Sequence, residues 1–181
     1  MTSVFAVALL ASAVALPEPQ TSGGMPLMQA LKQRQSQREF RSDKLPAQVL
    51  SNLLWAAFGV NRAESGRRTA PSAMNHQEID VYVATAEGVF VYDAKHHALE
   101  QVIAEDVRVA ASSQEFARAA PVQLIFIADF ARMADVRGDD KILYSAPIPG
   151  SSARMCISSA RRRGWRQWCV HRWIARHWRG F

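Results

Sequence analysis

The chain has few cysteines and no long hydrophobic run. Of its 181 residues only Cys156 and Cys169 are cysteines, and both lie in the last 36 residues. No disulfide framework can therefore stabilise residues 1–145, and cysteine usage indicates no redox compartment. Every apolar run is shorter than the stretch of about 20 residues that a transmembrane helix needs, so we expect no membrane-spanning segment. No internal repeat is visible, and the length predicts one domain with one hydrophobic core.

The last 36 residues lack acidic side chains altogether. Residues 146–181 contain no Asp, Glu or Lys, yet they hold eight Arg and four of the five Trp. Residues 1–145 contain fourteen basic and sixteen acidic side chains, so the net charge of +6 comes from the tail alone. A basic chain usually indicates a nucleic acid or an anionic membrane as partner. Because the body is mildly acidic, we expect no specific nucleic-acid partner for the folded domain.

The N-terminus is apolar. Residues 1–15 form an almost unbroken apolar run that ends in the small residues Ala13 and Ala15. This pattern resembles the hydrophobic region and cleavage site of a secretory signal peptide, although no Lys or Arg precedes it. We therefore expect an exported, periplasmic protein, or a cytoplasmic one if the run is not cleaved; a buried N-terminal helix is the alternative. Residues 16–24, with two prolines and a glycine pair, predict an extended leader.

Residues 25–146 predict a single α+β domain. Helices are predicted from Pro26 to Arg34 and from Leu45 to Phe58, with Asp43 as the N-cap of the second and Gly59 as its stop. The other predicted elements are a hairpin, a helical stretch, a buried strand and a last helix, at residues 79–92, 104–119, 122–128 and from 141 onward. This order of elements indicates helices packed on a sheet.

The first polar cluster follows the first predicted helix. In an extended segment, alternate residues place Arg34, Ser36 and Arg38 on one side. Two guanidinium groups that flank a hydroxyl are suited to a phosphate or an electron-rich heterocycle, because Arg donates several hydrogen bonds in a fixed geometry. A solvated charged turn would show the same pattern.

The second polar cluster extends from Arg67 to His76, ahead of the predicted hairpin. Its small residues allow backbone groups to approach a planar ligand, and the Asn75 amide both donates and accepts hydrogen bonds. An ordinary loop with turn-forming Asn and Ser is the alternative.

Together the two clusters resemble the nitroreductase family of flavin mononucleotide (FMN) enzymes, in particular its secreted or SagB-type dehydrogenase-like branch. Members of that family carry Arg-x-Ser-x-Arg followed by an acid and Phe, as residues 34–40 do, and then a helix like that of residues 49–59. A Thr-Ala-Pro-Ser loop with Asn follows, as in residues 69–75. The resemblance covers about residues 24–146 and implies a nitroreductase-like fold, with an antiparallel or mixed central sheet flanked by helices.

The resemblance implies a cofactor site and a reaction. The residues expected to bind FMN are Arg34, Gln35, Ser36, Arg38, Pro71, Ser72 and Asn75. Arg34 and Ser36 would hold the phosphate and ribityl chain, Arg38 the pyrimidine edge, and the loop residues would line the ring. NAD(P)H would deliver hydride to the flavin, which would then reduce a nitro compound, a quinone or a similar small acceptor. The resemblance also implies a homodimer, and it names no catalytic residue.

Other candidate sites are weaker. His96 and His97 predict a solvated turn after the hairpin rather than a metal site. Cys156, Cys169 and the tail histidines do not have the spacing of a zinc finger, so we expect no metal.

The tail departs from the family after residue 146. Back-translation with GC-rich codons, read one base out of frame, converts the family's next helix into the sequence of residues 147–156. We therefore predict a frameshift near codon 147, which makes residues 25–146 a truncated domain and residues 147–181 an aberrant tail. The protein would then lack the C-terminal part of the fold, including the central helix of the dimer interface, and its activity is in question. The alternative function is a non-enzymatic fragment whose basic tail binds nucleic acid or anionic membrane non-specifically.

Overall fold

The computed structural model describes residues 13–36, 38–41, 43–153 and 169–176. Its strands are β1 (Ala13–Ala15), β2 (Val60–Arg62), β3 (Arg67–Arg68), β4 (Ile79–Thr85), β5 (Gly88–Asp93), β6 (Ala98–Ile103), β7 (Val122–Asp129) and β8 (Cys169–Arg176). Six of them form a sheet in the order β1-β6-β5-β4-β7-β8, while β2 and β3 form a separate ribbon. β8 runs parallel to β7 and the other neighbours are antiparallel, so the sheet is mixed.

Helices flank this sheet. They are α1 (Leu27–Gln33), α2 (Ala47–Phe58), α3 (Arg108–Ala111), α4 (Glu115–Arg118) and α5 (Asp140–Ser145), and residues 147–153 are also helical. The predicted α+β class, with a mixed sheet and flanking helices, is confirmed. Within the described ranges, no helix is long and apolar enough to cross a membrane.

The hydrophobic core lies between α2 and the sheet. Leu54 and Phe58 of α2 are almost fully buried, and they belong to one cluster with Val81 and Val83 of β4 and Phe126 of β7. Side chains alternate along a strand, so one face of β4 packs on the helix. Complete burial of a Leu or Phe side chain contributes about 1.5–3 kcal/mol. This packing fixes the C-terminal end of α2, to which the second candidate ligand-binding segment is attached through Arg68.

The ends of α2 differ from the prediction. The helix begins after Pro46 with no side-chain cap, and Asp43 pairs with Arg41 instead, so the predicted Asp43 cap is wrong. Gly59 does end the helix, but its backbone is extended rather than left-handed. A Cβ at this position would lie 2.5 Å from Cδ1 of Trp55, so a close approach requires the glycine.

The hairpin matches the prediction with a shift of one residue. Thr85 pairs with Gly88, so the turn is formed by Ala86 and Glu87 rather than by Glu87 and Gly88. Strand β6 was not predicted, because it carries the polar pair Glu100 and Gln101 in its middle. It adds to β5 at the side of the sheet away from the core strands β4 and β7.

The predicted leader is extended and is bound to the domain. The backbone N of Leu16 donates to the carbonyl of His97 at 3.1 Å. Ser51 Oγ of α2 donates to the Pro17 carbonyl at 2.5 Å, and the Gln20 N–H donates to Asn52 Oδ1 at 2.7 Å. Ahead of it, the three residues of β1 are exposed, and the strand pairs with β6. Residues 1–12, which carry most of the predicted signal peptide, lie outside the described residues.

His97 is a structural link rather than part of a solvated turn. Its Nδ1 lies 2.8 Å from the Tyr92 hydroxyl, and its Nε2 lies 2.8 Å from Ser51 Oγ and 3.1 Å from the Pro17 carbonyl. The tautomer that satisfies these contacts carries its hydrogen on Nε2. The expectation of a solvated turn is therefore wrong for His97, although it suits the exposed His96, which pairs with Asp93.

The pH dependence of folding should reflect His97. Burial lowers the pKa of His97 below the usual 6.5, although a hydrogen bond to the Pro17 carbonyl opposes the shift. As the pH falls, His97 is therefore protonated in the unfolded chain before it is protonated in the folded protein. The contribution of His97 to the free energy of unfolding is complete above about pH 6.5 and is lost as the pH drops through the lower pKa of the folded state. We expect urea unfolding to show this decline, and His97→Asn to reduce it. Asn is chosen because residue 97 has a φ of 49°, which Asn tolerates.

The matched control is His96→Asn, which changes the exposed neighbouring histidine. This variant should retain the decline. An equal decline in the His97→Asn variant would show that other groups cause the pH dependence.

Candidate functional site

The Arg-Ser-Arg segment leaves the end of α1 in an extended conformation. The α1 C-cap is Arg34, with φ −62° and ψ 121°. Arg34, Gln35, Ser36 and Arg38 are all exposed. Among the described residues, the side chains of Arg34 and Ser36 make no hydrogen bond or ion pair. Their polar groups are therefore available to a ligand.

An aromatic pair supports this segment. The rings of Phe40 and Phe116 stack with centroids 6.2 Å apart and planes 19° apart. The Arg38 guanidinium lies 5.9 Å from the Phe116 centroid. A cation over an aromatic face is stabilised by about 0.5–1 kcal/mol at an exposed site. The contact holds the Arg38 head group at α4, and it leaves the guanidinium hydrogens free of any carboxylate in the described part of the chain.

The second cluster is a loop with a strained backbone. Met74, Asn75 and Gln77 have φ values of 49°, 59° and 49°. Asn adopts this left-handed region readily, whereas for other side chains it costs about 1–2 kcal/mol per residue. Such strain persists only where the surroundings fix the conformation, and it concentrates at functional sites.

Arg68 fixes one side of this loop. Its Nε donates to Gln77 Oε1 at 2.7 Å, and its Nη1 donates to the Phe58 carbonyl at the end of α2 at 3.2 Å. The guanidinium lies 4.6 Å from the centroid of the Phe58 ring. Arg68 is half-buried, and this burial lowers the pKa of its guanidinium. Arg68 therefore ties the loop to α2.

Arg132 fixes the other side. Its Nη1 donates to the Gln77 carbonyl at 3.0 Å, and the same guanidinium forms a two-point pair with Asp80 at 2.9 and 2.8 Å. Bidentate pairs of this kind hold both side chains in one geometry. The loop is thus also attached to β4 and to the turn after β7.

Inside the loop, the Ser72 hydroxyl is hydrogen-bonded within the protein. Its hydroxyl donates to Glu78 Oε2 at 2.9 Å and accepts the Gln77 backbone N–H at 2.8 Å. Asn75 Oδ1 accepts from the Gln77 amide at 3.1 Å, so the exposed Asn75 side chain offers its N–H groups outward. Pro71 is also exposed. The loop therefore presents an amide donor and an apolar ring to solvent.

The two predicted clusters have separate supports. The contacts of Arg34, Ser36 and Arg38 within the described residues do not include Pro71, Ser72 or Asn75. The first cluster rests on α1 and α4, and the second rests on α2, β4 and Glu78. Their common use by one ligand therefore remains a prediction.

Sequence reasoning missed Glu78, Arg132 and Phe116. Phe116 was counted only as part of a helical pattern, and Arg132 stands in a turn where an exposed charge is unremarkable. Glu78 offered a signal, because a carboxyl directly before a strand as apolar as β4 is unusual. Among the described residues, no group of three or more His, Cys, Asp or Glu side chains is placed to hold a metal.

Comparisons with known proteins agree with this architecture. The nitroreductase family profile matches residues 31–166. A protein of Methanocaldococcus jannaschii that carries the name nitroreductase is 34% identical over 128 residues, which are 65% of this chain and 64% of its own length. A crystal structure of a protein from Ralstonia eutropha JMP134, also titled as a nitroreductase, matches with a TM-score of 0.79 at 41% identity. The alignment covers 84% of this chain and 76% of the Ralstonia chain.

A more distant structure from Anabaena variabilis shares the fold alone, with a TM-score of 0.69 and 18% identity. The alignment covers 84% of this chain and 34% of the Anabaena chain. Fold and sequence together define a nitroreductase-like α+β protein. The chain belongs to the nitroreductase family. It spans 64% of the length of the M. jannaschii relative.

The role of Arg68 can be tested against its neighbour. Arg68→Met removes two hydrogen bonds and the contact with the Phe58 face, so we expect a loss of about 2 kcal/mol in the free energy of unfolding. Urea denaturation at neutral pH measures this loss. Arg67→Met is the control, because Arg67 is exposed and a surface change of this kind usually stays within about 0.5 kcal/mol. An equal loss in the free energy of unfolding for the two variants would contradict the conclusion that Arg68 attaches the loop to α2.

Proposed function

We propose that the protein is an FMN-dependent oxidoreductase of the nitroreductase type. It would take hydride from NAD(P)H and reduce a nitro compound, a quinone or a similar small acceptor. The observation that carries the proposal is the pair of exposed guanidinium groups of Arg34 and Arg38, on either side of Ser36 and without an acid partner in the described residues.

The donor set fits FMN. A phosphate needs several N–H or O–H donors and a compensating charge, which Arg34 and Ser36 would supply. The pyrimidine edge of the ring carries acceptors that the Arg38 guanidinium would meet. The exposed Asn75 amide supplies further donors, and Pro71 supplies an apolar surface for a flat ring. We assign Gln35 to the same site because it lies between Arg34 and Ser36.

Bound FMN would supply the redox chemistry, by accepting hydride from NAD(P)H and passing two electrons to the acceptor. The protein's task is to bind and orient it. A guanidinium beside the ring favours the build-up of negative charge there, because oriented positive charge lowers the energy of that state. No covalent catalysis by a side chain is needed.

We also propose the secreted or SagB-type dehydrogenase-like branch and a homodimer, which would have to form without the central interface helix that the proposed frameshift removes. The Thr-Ala-Pro-Ser loop of residues 69–75 supports the branch. The exposed apolar face of α1 supports association, since Leu27, Met28 and Leu31 are 47%, 75% and 49% exposed while α1 buries only Ala30. Sedimentation of the purified chain at twice its 20.1 kDa mass would support the dimer.

The frameshift near codon 147 is proposed on composition. Eight Arg and four Trp without any acid in residues 146–181 contrast with the balanced charge of residues 1–145. Sequencing the gene across codon 147 tests this directly, and an intact reading frame in several independent clones would contradict it.

Export with cleavage after Ala15 is likewise a proposal. The exposed strand β1 ends at Ala15, and attachment to the domain core begins at Leu16, which packs against the hydrophobic cluster. Among the described residues, cleavage there would remove only the edge strand β1. A mature N-terminus at Leu16 in the periplasmic fraction is the expected result, and an intact Met1 there would contradict it.

FMN binding is the central test. We expect the purified chain to bind FMN, with an absorbance band at about 450 nm. Arg34→Ala should raise the dissociation constant at least about tenfold, because a charge-assisted hydrogen bond contributes about 1.5–3 kcal/mol. Quenching of FMN fluorescence in a titration measures the constant.

Lys32→Ala is the matched control for general electrostatic attraction, because Lys32 is an exposed cation two residues away on α1. It should change the dissociation constant less than about twofold. A colourless protein that binds no added FMN, and that binds nucleic acid in a salt-sensitive way, would instead support the alternative of a non-enzymatic fragment.

A further inference from the structure

A buried carboxyl lies directly behind the candidate flavin loop. Glu78, the residue before β4, has no exposed surface. Its Oε2 accepts from Ser72 Oγ at 2.9 Å, and its Oε1 accepts from Ser145 Oγ of α5 at 3.0 Å. No ion pair to Glu78 is found among the described residues. Burial of a carboxyl with only hydroxyl partners is costly for folding, so stability does not explain its presence.

The carboxyl determines what Ser72 can offer a ligand. A hydroxyl has one hydrogen to donate and two lone pairs. In Ser72 the hydrogen points to Glu78, and one lone pair accepts the Gln77 N–H at 2.8 Å. Only the second lone pair remains, so Ser72 would act toward a ligand as an acceptor.

The same contact fixes the loop backbone. Ser72 and Gln77 enclose the positive-φ residues Met74 and Asn75, and the Ser72–Gln77 bond closes this turn. The Glu78 main chain is itself fixed, because its carbonyl accepts the Asp129 N–H of β7 at 2.8 Å. Glu78, fixed in this way next to β4, therefore holds Ser72, and Ser72 holds the loop.

We propose that Glu78 is a positioning residue that orders the loop of residues 72–77 through Ser72. In the proposed function it would thereby prepare the loop for FMN, and that part of the inference rests on the proposed function. The ordering of the loop itself does not depend on any ligand. A positioning role and a purely structural role differ in one respect, which is whether loop order and global stability change together.

The test uses three variants of the full 181-residue chain. Glu78→Met replaces the carboxyl by an apolar side chain of similar size, which removes both hydrogen bonds together with the cost of burying a polar group. Glu78→Gln keeps the shape but leaves only one acceptor. Ser145→Ala is the matched control, because it removes the other hydrogen bond of the same carboxyl and leaves the bond to Ser72 in place.

Amide hydrogen exchange of residues 72–77 is measured without flavin. We expect exchange to be about tenfold faster in both Glu78 variants, which is the effect of losing one hydrogen bond, and changed less than about twofold in Ser145→Ala. The thermal midpoint of Glu78→Met should equal or exceed that of the wild type. The FMN dissociation constant should rise about tenfold in the Glu78 variants. It should rise no further when Glu78→Met is added to Ser72→Ala, because both changes act on one contact.

Each outcome has a distinct meaning. Unchanged loop exchange in Glu78→Met overturns the inference, and so does a parallel loss of loop protection and thermal stability in Ser145→Ala and Glu78→Met. If Glu78→Gln fails to fold, Glu78→Met decides the question alone. If the wild type binds no FMN while the Glu78 variants still loosen the loop, the proposed function fails and the positioning role stands.

Discussion

Gln77 holds the candidate site together, because every polar group of this residue is bonded while its backbone is left-handed. Its N–H donates to Ser72, its carbonyl accepts from Arg132, and its side-chain amide binds Arg68, Gly66 and Asn75. The conformation costs about 1–2 kcal/mol, which any one of these bonds offsets only in part. Several bonds together make the loop a fixed surface. Two of the partners are themselves held by the core elements, Arg68 by the Phe58 carbonyl of α2 and Arg132 by Asp80 of β4.

The loop is therefore only as rigid as the packing of α2 on the sheet. Arg68 reaches the Phe58 carbonyl, and the Phe58 ring lies in the core beneath its guanidinium. A loss of core packing would release Arg68 and then Gln77. By contrast, the Arg34–Arg38 segment rests on the short helix α4 and on the Phe40–Phe116 pair. Two supports of different strength thus carry the two halves of the proposed flavin site.

Elements that depend on the spacing of neighbouring residues could be predicted from the sequence. The apolar spacing of α2 and the continuous apolar run of β7 identified both elements, because helix and strand periodicities are properties of neighbouring residues. The two motifs were also visible, and they led to the correct family. Strand β6 was missed because its polar residues face solvent at the side of the sheet away from the core. The Asp43 cap was wrong because Pro46 begins the helix and Arg41 takes the carboxylate.

The sequence by itself determined the fold class, the family and the identity of the polar residues that could meet a flavin phosphate. Only the tertiary structure decided which of those residues remain available. Ser72 was expected to line the flavin ring, yet its hydroxyl hydrogen points to Glu78. His97 was expected in a solvated turn, yet it joins Tyr92, Ser51 and the Pro17 carbonyl. The reason is that a hydrogen bond depends on the position and direction of two groups, and its partners here are up to 80 residues apart in the chain.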